Sequence, residues 1–308
     1  MTGSKKSGVC KLTGKSGTFV DSHLLPKAIT KPNISGAYFI EGGQGNRPVR
    51  RFSSWYDNNL VTRDGEDILA RYDSWGIAEL QRLKLIWSSW GPMTSLSTSD
   101  WTTFRLDQRH GHGMRELTCS DPIKFRLFFL SLLWRAAATT RPEFSAIQVE
   151  ESELQQLTAM VRDGDPASLN FYPTTLMQIA AQGPVHNFIP LAIDEIVDIE
   201  GSQPWHRYLF RFYFDGLIAF MHRPRRDAKM IDFGKFVVGY SKELAVQTIP
   251  IEGAFQIENL LKARFETHLQ WPKTMEKLDG FPAARRDHLL QAYELRFGHG
   301  KPWTEPKE

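Results

Sequence analysis

Residue types able to do chemistry crowd the first quarter of this 308-residue chain. Cys10 is followed by Gly14-Lys15-Ser16, then by Ser22-His23-Leu24-Leu25-Pro26-Lys27, by Asn58-Asn59, and by the acids Asp64, Glu66 and Asp67. A Gly-Lys-Ser triplet ends phosphate-binding loops, which need four residues between the first glycine and the triplet so that the backbone closes around a phosphate. Five residues separate Gly8 from Gly14 and no apolar strand precedes them, so the triplet is not such a loop. What remains is a thiol and a Ser-His-Leu-Leu-Pro turn. Further on, Asp107-Gln108-Arg109-His110-Gly111-His112-Gly113 places two histidines at i and i+2 in a glycine-rich loop, with an acid ahead of them. That pattern can bind a transition metal, and surface loops also produce it by chance.

The bulk numbers bound what these residues can belong to. The chain is 41% hydrophobic and 24% charged, ordinary for a globular protein with a full core. A net charge of +3 and a pI near 8.8 permit nucleic-acid contact without arguing for it. Two cysteines, Cys10 and Cys119, make no disulfide framework, so a reducing, cytoplasmic compartment is expected. The basic start MTGSKKSGVCKLTGK has no apolar segment behind it, so no secretory leader is expected. The apolar run Leu127 to Trp134 is far shorter than the roughly 20 residues of a membrane span, so no membrane partner is expected.

The elements that must hold the reactive residues are read from period and punctuation. Residues 1 to about 60 alternate short apolar pieces, at 17–20 and 37–40, with turn residues. From Arg63, Ile68, Tyr72, Trp75, Glu79 and Leu83 mark one stripe of a helix, with Asp64, Glu66 and Asp67 in its first turn, where the helix dipole favours carboxylates. Ser120-Asp121-Pro122 opens a second helix, apolar nearly all round and so buried, reaching Ala138. A third spans about 150–162 and stops at Gly164, and others are expected at 254–269 and 283–296. Asp215-Gly216 between aromatic and branched runs marks a hairpin over about 206–222, and 235–240 reads as a further strand. The class is α+β, with a small unit over 1–86 and a larger body over 87–308.

Cys10 with Thr13 at the spacing of a Cys-x2-Cys knuckle, Ser22-His23-Leu24-Leu25-Pro26-Lys27, Tyr56-Asp57-Asn58-Asn59-Leu60, Ile68-Leu69-Ala70-Arg71-Tyr72-Asp73 and Leu130-Ser131-Leu132-Leu133-Trp134-Arg135-Ala136 together resemble a family of bacterial and phage proteins related to HNH endonucleases. The resemblance covers about the first half of the chain. It implies a treble-clef unit closed around zinc by four thiolates, two from the knuckle and two from a helix start. Only Cys10 stands at such a position. Thr13, Val61 and Asp64, or Asp64 and Asp67 with a slip of three, occupy the others, so a structural zinc is not expected. The unit must then be held by packing, with Phe19, Trp55, Tyr56, Leu60, Ile68 and Tyr72 as the candidates.

By the same resemblance His23 is the general base of a phosphodiester hydrolase, and Asn59 or Asn58 orients its imidazole. Asp64 and Asp67 are the residues to hold magnesium or manganese. Arg47, Arg50, Arg51, Lys15 and Lys27 suit phosphate contacts, and Trp55 and Tyr56 suit base stacking. A bacterial or phage defence or mobile-element setting follows from the family alone. Each of these readings has a plain counterpart: His23 as a turn hydrogen bond, the acids as helix capping, the basic residues as a solvated rim. The expected partner is nucleic acid. The alternative is a catalytically inactive scaffold, a zinc-free relic whose body binds a protein or a second copy of the chain.

Overall fold

The structure is a computed structural model of the chain. It describes residues 6–30, 38–43, 46–52, 54–97, 102–105, 111–183, 189–197, 205–224, 234–251, 254–280, 282 and 285–297. The first half carries β1 (Ser7–Val9), β2 (Ser16–Thr18), β3 (Ser22–His23), β4 (Phe39–Gly43), β5 (Asn46–Arg51), β6 (Tyr56–Asp57), α1 (Arg63–Arg82), β7 (Thr102–Arg105), β8 (Gly111–Thr118), α2 (Pro122–Ala138) and α3 (Glu151–Asp163). The second half adds β9 (Thr174–Ile179), β10 (Leu191–Val197), β11 (Trp205–Phe214), β12 (Leu217–His222), β13 (Glu243–Ile249), α4 (Phe255–Gln270), α5 (Pro272–Asp279) and α6 (Arg286–Phe297). The fold is mixed α+β. Two compact units form, one from 1–30, 54–182 and 187–250, the other from 31–53, 183–186 and 251–308.

The larger unit is organised by α2. Thirteen of its seventeen residues are buried, from Phe125 through Trp134 and Arg135 to Ala138, so water touches little of any face. The Asp121 side chain caps it by accepting the Lys124 N–H at 3.0 Å, with Pro122 in the first turn. Against one side lies α1, where Gly76 is required: a Cβ there would sit 2.3 Å from the Phe128 ring. Against another lies α3, started by the reciprocal Glu150–Glu153 capping box and ended by Gly164 at φ 75°.

The third layer is a seven-stranded sheet in the order β10-β11-β12-β9-β13-β8-β7. Every neighbour is antiparallel except β13 against β9. Phe210, Phe212, Phe214, Leu217, Ala219 and Met221 of β11 and β12 join the α2 core. Their two-residue turn has Asp215 and Gly216 both left-handed, at φ 51° and 82°, which matches the twist of the strands it joins. The strand expected over 235–240 does not form: only Val237 makes an isolated bridge, to Thr175, and β13 at Glu243–Ile249 was not expected. Residues Gly234–Phe236 form a 3-10 turn, and Gly239, at φ 95° against Arg126, bends the chain before it enters the sheet.

The smaller unit packs α4 against β4, α5 against β5 and α6 against α4, with β4 and β5 paired antiparallel. Its buried polar pair is His268 Nε2 with Asp279 Oδ2, 2.8 Å apart. No helix among the described residues is long and apolar enough to cross a membrane.

Glu79, on the stripe of α1, fastens that helix to the entrance of α2. Its side chain is 4% exposed. It accepts Arg82 Nε and Nη2 at 2.8 and 2.7 Å, and the Ser120 N–H and hydroxyl at 2.7 and 2.9 Å. Burial alone would raise its pKa; the hydrogen bonds from Arg82 and Ser120 outweigh burial and hold it at about 2. A carboxylate depressed in the folded state stabilises fully above its ordinary pKa and loses that contribution as pH falls through the folded value. Glu79→Gln should therefore lose on the order of 3 kcal/mol at pH 7. In denaturant titrations the difference from wild type should shrink between about pH 4.5 and pH 2.

Candidate functional site

The N-terminal residues singled out by sequence assemble on three small elements. The β1–β2 turn is closed by Cys10 N–H to Lys15 O and Gly14 N–H to Cys10 O, both 2.9 Å. Cys10 is buried, and its Sγ accepts the Thr13 N–H at 3.4 Å. Burial would push the thiol up, but hydrogen bonds from Thr13, Thr62 and Leu12 prevail and hold its pKa below the ordinary value. The first turn of α1 lies directly on this sulfur. A Cβ at Gly65 would stand 2.7 Å from Cys10 Sγ and 2.9 Å from Val61 Cβ. The β1–β2 turn thus meets the start of α1 through Cys10, and Lys11 N–H donates to Leu60 O at 3.0 Å just before it.

That arrangement does not fit a tetrahedral zinc. Val61 is fully buried and has no donor atom, and Thr13 offers its backbone N–H to the thiol. Asp64 has a side chain 63% exposed and lies 3.9 Å from Lys15 Nζ, itself in solvent.

Strands β3 and β6 form a short ribbon, Ser22 opposite Asp57 and His23 opposite Tyr56, continued by Leu24 N–H to Trp55 O at 2.9 Å. Alternation divides its residues. Ser22 and Asp57 are buried, whereas His23 is half-buried and Tyr56 is 44% exposed. On the buried face Asp57 accepts the Thr139 hydroxyl at 2.6 Å and the Asn59 N–H at 2.8 Å. On the open face the His23 imidazole has no hydrogen-bond partner among the described residues. Asn59 Nδ2 donates to Asn58 Oδ1 at 2.9 Å, and both asparagines are exposed.

The end of α2 braces this ribbon. Arg135, fully buried, donates to Asp73 Oδ1 at 2.7 Å and to the carbonyls of Leu69 and His23, each at 3.5 Å. Lys11 Nζ donates to Ala138 O at 2.6 Å, and Arg141 Nη1 to Tyr56 O at 2.9 Å. Thr139 and Arg141 were not among the residues marked by sequence, and Asp57 and Arg135 stood in its motifs without a role at the site. The one local signal was the Asp-Asn-Asn run, whose acid could be expected to turn back on the chain.

The remaining candidates are dispersed. Asp64 and Asp67 lie three apart on α1, both exposed; Glu66 is half-buried, its Oε2 without a partner. Among the described residues no three His, Cys, Asp or Glu side chains converge as a metal site. Lys15 and Lys27 are exposed in the larger unit. Arg47, Arg50 and Arg51 lie on β5 of the smaller one, where Arg50 Nη2 donates to the carbonyls of Lys277 and Leu278 at 3.0 and 2.8 Å. Of the histidine loop, residues 107–110 lie outside the described residues, and His112 is half-buried on β8 opposite Phe104.

No family model, curated protein or solved structure matches the chain.

The knuckle's closeness to the helix is testable. Gly65→Ala should cost about 1–3 kcal/mol by overpacking, read from a urea midpoint. Adding Cys10→Ala should recover part of that loss, because one of the two close contacts is to the sulfur.

Proposed function

We propose that the chain acts on nucleic acid through a zinc-free, HNH-like unit built from the β1–β2 knuckle, the β3–β6 ribbon and α1. The observation that carries this reading is the meeting of Cys10, in the β1–β2 turn, with Gly65 in the first turn of α1, in the order turn, ribbon, helix.

His23 is the base. Its imidazole is half-exposed and uncommitted, so it can take a proton from water as the water oxygen bonds to phosphorus. It can return that proton to the oxygen that leaves. The Arg135 and Leu24 hydrogen bonds fix the backbone on either side of the ring. Asn58 and Asn59 lie just past its partner strand, where an amide can orient water or phosphate. Asp64 and Asp67 are the residues that would hold magnesium or manganese; both offer exposed carboxylate oxygens, and magnesium takes one or two carboxylates and keeps its waters. When bound, such an ion supplies charge stabilisation at the phosphoryl oxygens. Lys15 and Lys27 serve as phosphate contacts that position without reading sequence. A defence or mobile-element setting remains part of this proposal.

A second reading, an inactive scaffold, is favoured by one observation: Asn59 Nδ2 is engaged by Asn58 and the carboxylate of Asp57 by Thr139, which leaves the imidazole without an orienting partner among the described residues. Cleavage of plasmid DNA and of single-stranded RNA, with magnesium or manganese, separates the two. The nuclease reading expects His23→Ala to lower the rate by about 100-fold or more. No cleavage by either protein, or equal cleavage by both, overturns it and leaves the scaffold.

A further inference from the structure

The smaller unit exposes two aromatic rings side by side on its hairpin. Phe52 is 59% exposed and Tyr38 39%, their centroids 6.0 Å apart and edge to face. Phe39 pairs with Arg51 across the hairpin, so Tyr38 and Phe52 continue that register at its open end. Tyr38 is held from behind: its hydroxyl donates to Leu278 O at 2.8 Å, and the Arg50 guanidinium lies 4.6 Å over its ring. Arg50 is itself pinned by the last carbonyls of α5. The ring left open is Phe52, with a rigid backing of Tyr38 and Arg50.

Cations predominate beside these rings, although Glu41 on β4 and Glu276 and Asp279 on α5 lie among them. Along β5 run Arg47, Arg50 and Arg51, with exposed Lys277 and Lys273 on the helix that Arg47 and Arg50 grip. Arg47 and Arg51 lie four residues apart, about 13 Å along a strand, so the cations run from the rings toward the hairpin turn over more than one phosphate. Exposed aromatics interleaved with arginine are what unpaired bases and their backbone recognise together: the rings accept any base face, and the cations follow the phosphates. A duplex hides its base faces and offers only the second of these.

We propose that the β4–β5 hairpin is a stacking station for single-stranded nucleic acid, with Phe52 receiving a base and Tyr38 and Arg50 holding it in place. This rests on the proposal that nucleic acid is the chain's partner, and names the strand form it takes. The test is fluorescence anisotropy of the full chain with labelled single-stranded DNA, single-stranded RNA and the matching DNA duplex. Wild type, Phe52→Ala, Phe52→Trp and His23→Ala are compared.

Phe52→Ala should weaken single-strand binding about tenfold, leave duplex binding unchanged and keep the thermal midpoint, since the side chain lies in solvent. Phe52→Trp should retain binding, and His23→Ala should bind as wild type does. The DNA and RNA arms tell which strand is preferred. Single-strand affinity untouched by Phe52→Ala, or a wild type that prefers the duplex, overturns the stacking station and spares the His23 site. A Phe52→Ala chain that changes sedimentation rather than binding makes the face a contact between copies and overturns it too. A wild type that binds no nucleic acid overturns both proposals.

Discussion

Everything at the N-terminal end depends on burial against one helix. A knuckle of two three-residue strands, a ribbon of two-residue strands and a single helix is too small to supply a core of its own. Here Leu24, Leu25, Ile29, Leu60, Val61 and Leu69 belong to the same cluster as Phe125, Phe128, Phe129 and Leu132 of α2. Each such side chain, taken fully out of water, stabilises by about 1.5–3 kcal/mol. The small elements are thereby part of the core of the larger unit. Val61 shows this most directly: its side chain is fully buried in that core, close to a sulfur that accepts from backbone amides.

The polar contacts follow from that burial. Once α2 lies under the ribbon, Asp57 and Arg135 are carried into a dry environment and must be paired. Asp57 finds Thr139 at the helix end and Arg135 finds Asp73 on α1, so the two helices and the ribbon are tied at one place. Glu79 makes the same kind of tie at the other end of α2, through Ser120. The result is a ribbon with a fixed back and an open front, and His23 stands on the front.

How much of this could be read from the residues depended on how local the cause was. The α2 helix announced itself by its Asp-Pro start and by apolarity on every face, and α3 by its end at Gly164. The β11–β12 hairpin was legible because Asp215-Gly216 is a turn that tolerates left-handed φ at both positions. Strands β8, β9 and β13 were not read, because Thr174–Ile179 and Glu243–Ile249 become strands through pairing with segments far away in sequence. At the site, His23, Cys10 and the acids of α1 were visible as residue types in a pattern. The tie between Asp57 and Thr139 was not, since 82 positions separate the acid from the hydroxyl. Arg50 was legible as a basic residue, but its grip on the end of α5 is a tertiary fact.

The central claim is that packing on α2, with no metal, holds the knuckle, ribbon and helix together. Thermal unfolding of the purified full chain, with and without excess EDTA and with added zinc, tests it most directly. The account predicts one midpoint under all three conditions and no zinc in the purified protein. Stoichiometric zinc together with a midpoint that falls on chelation would contradict it, because a site worth many kcal/mol to folding would then exist where the account places only side-chain contact.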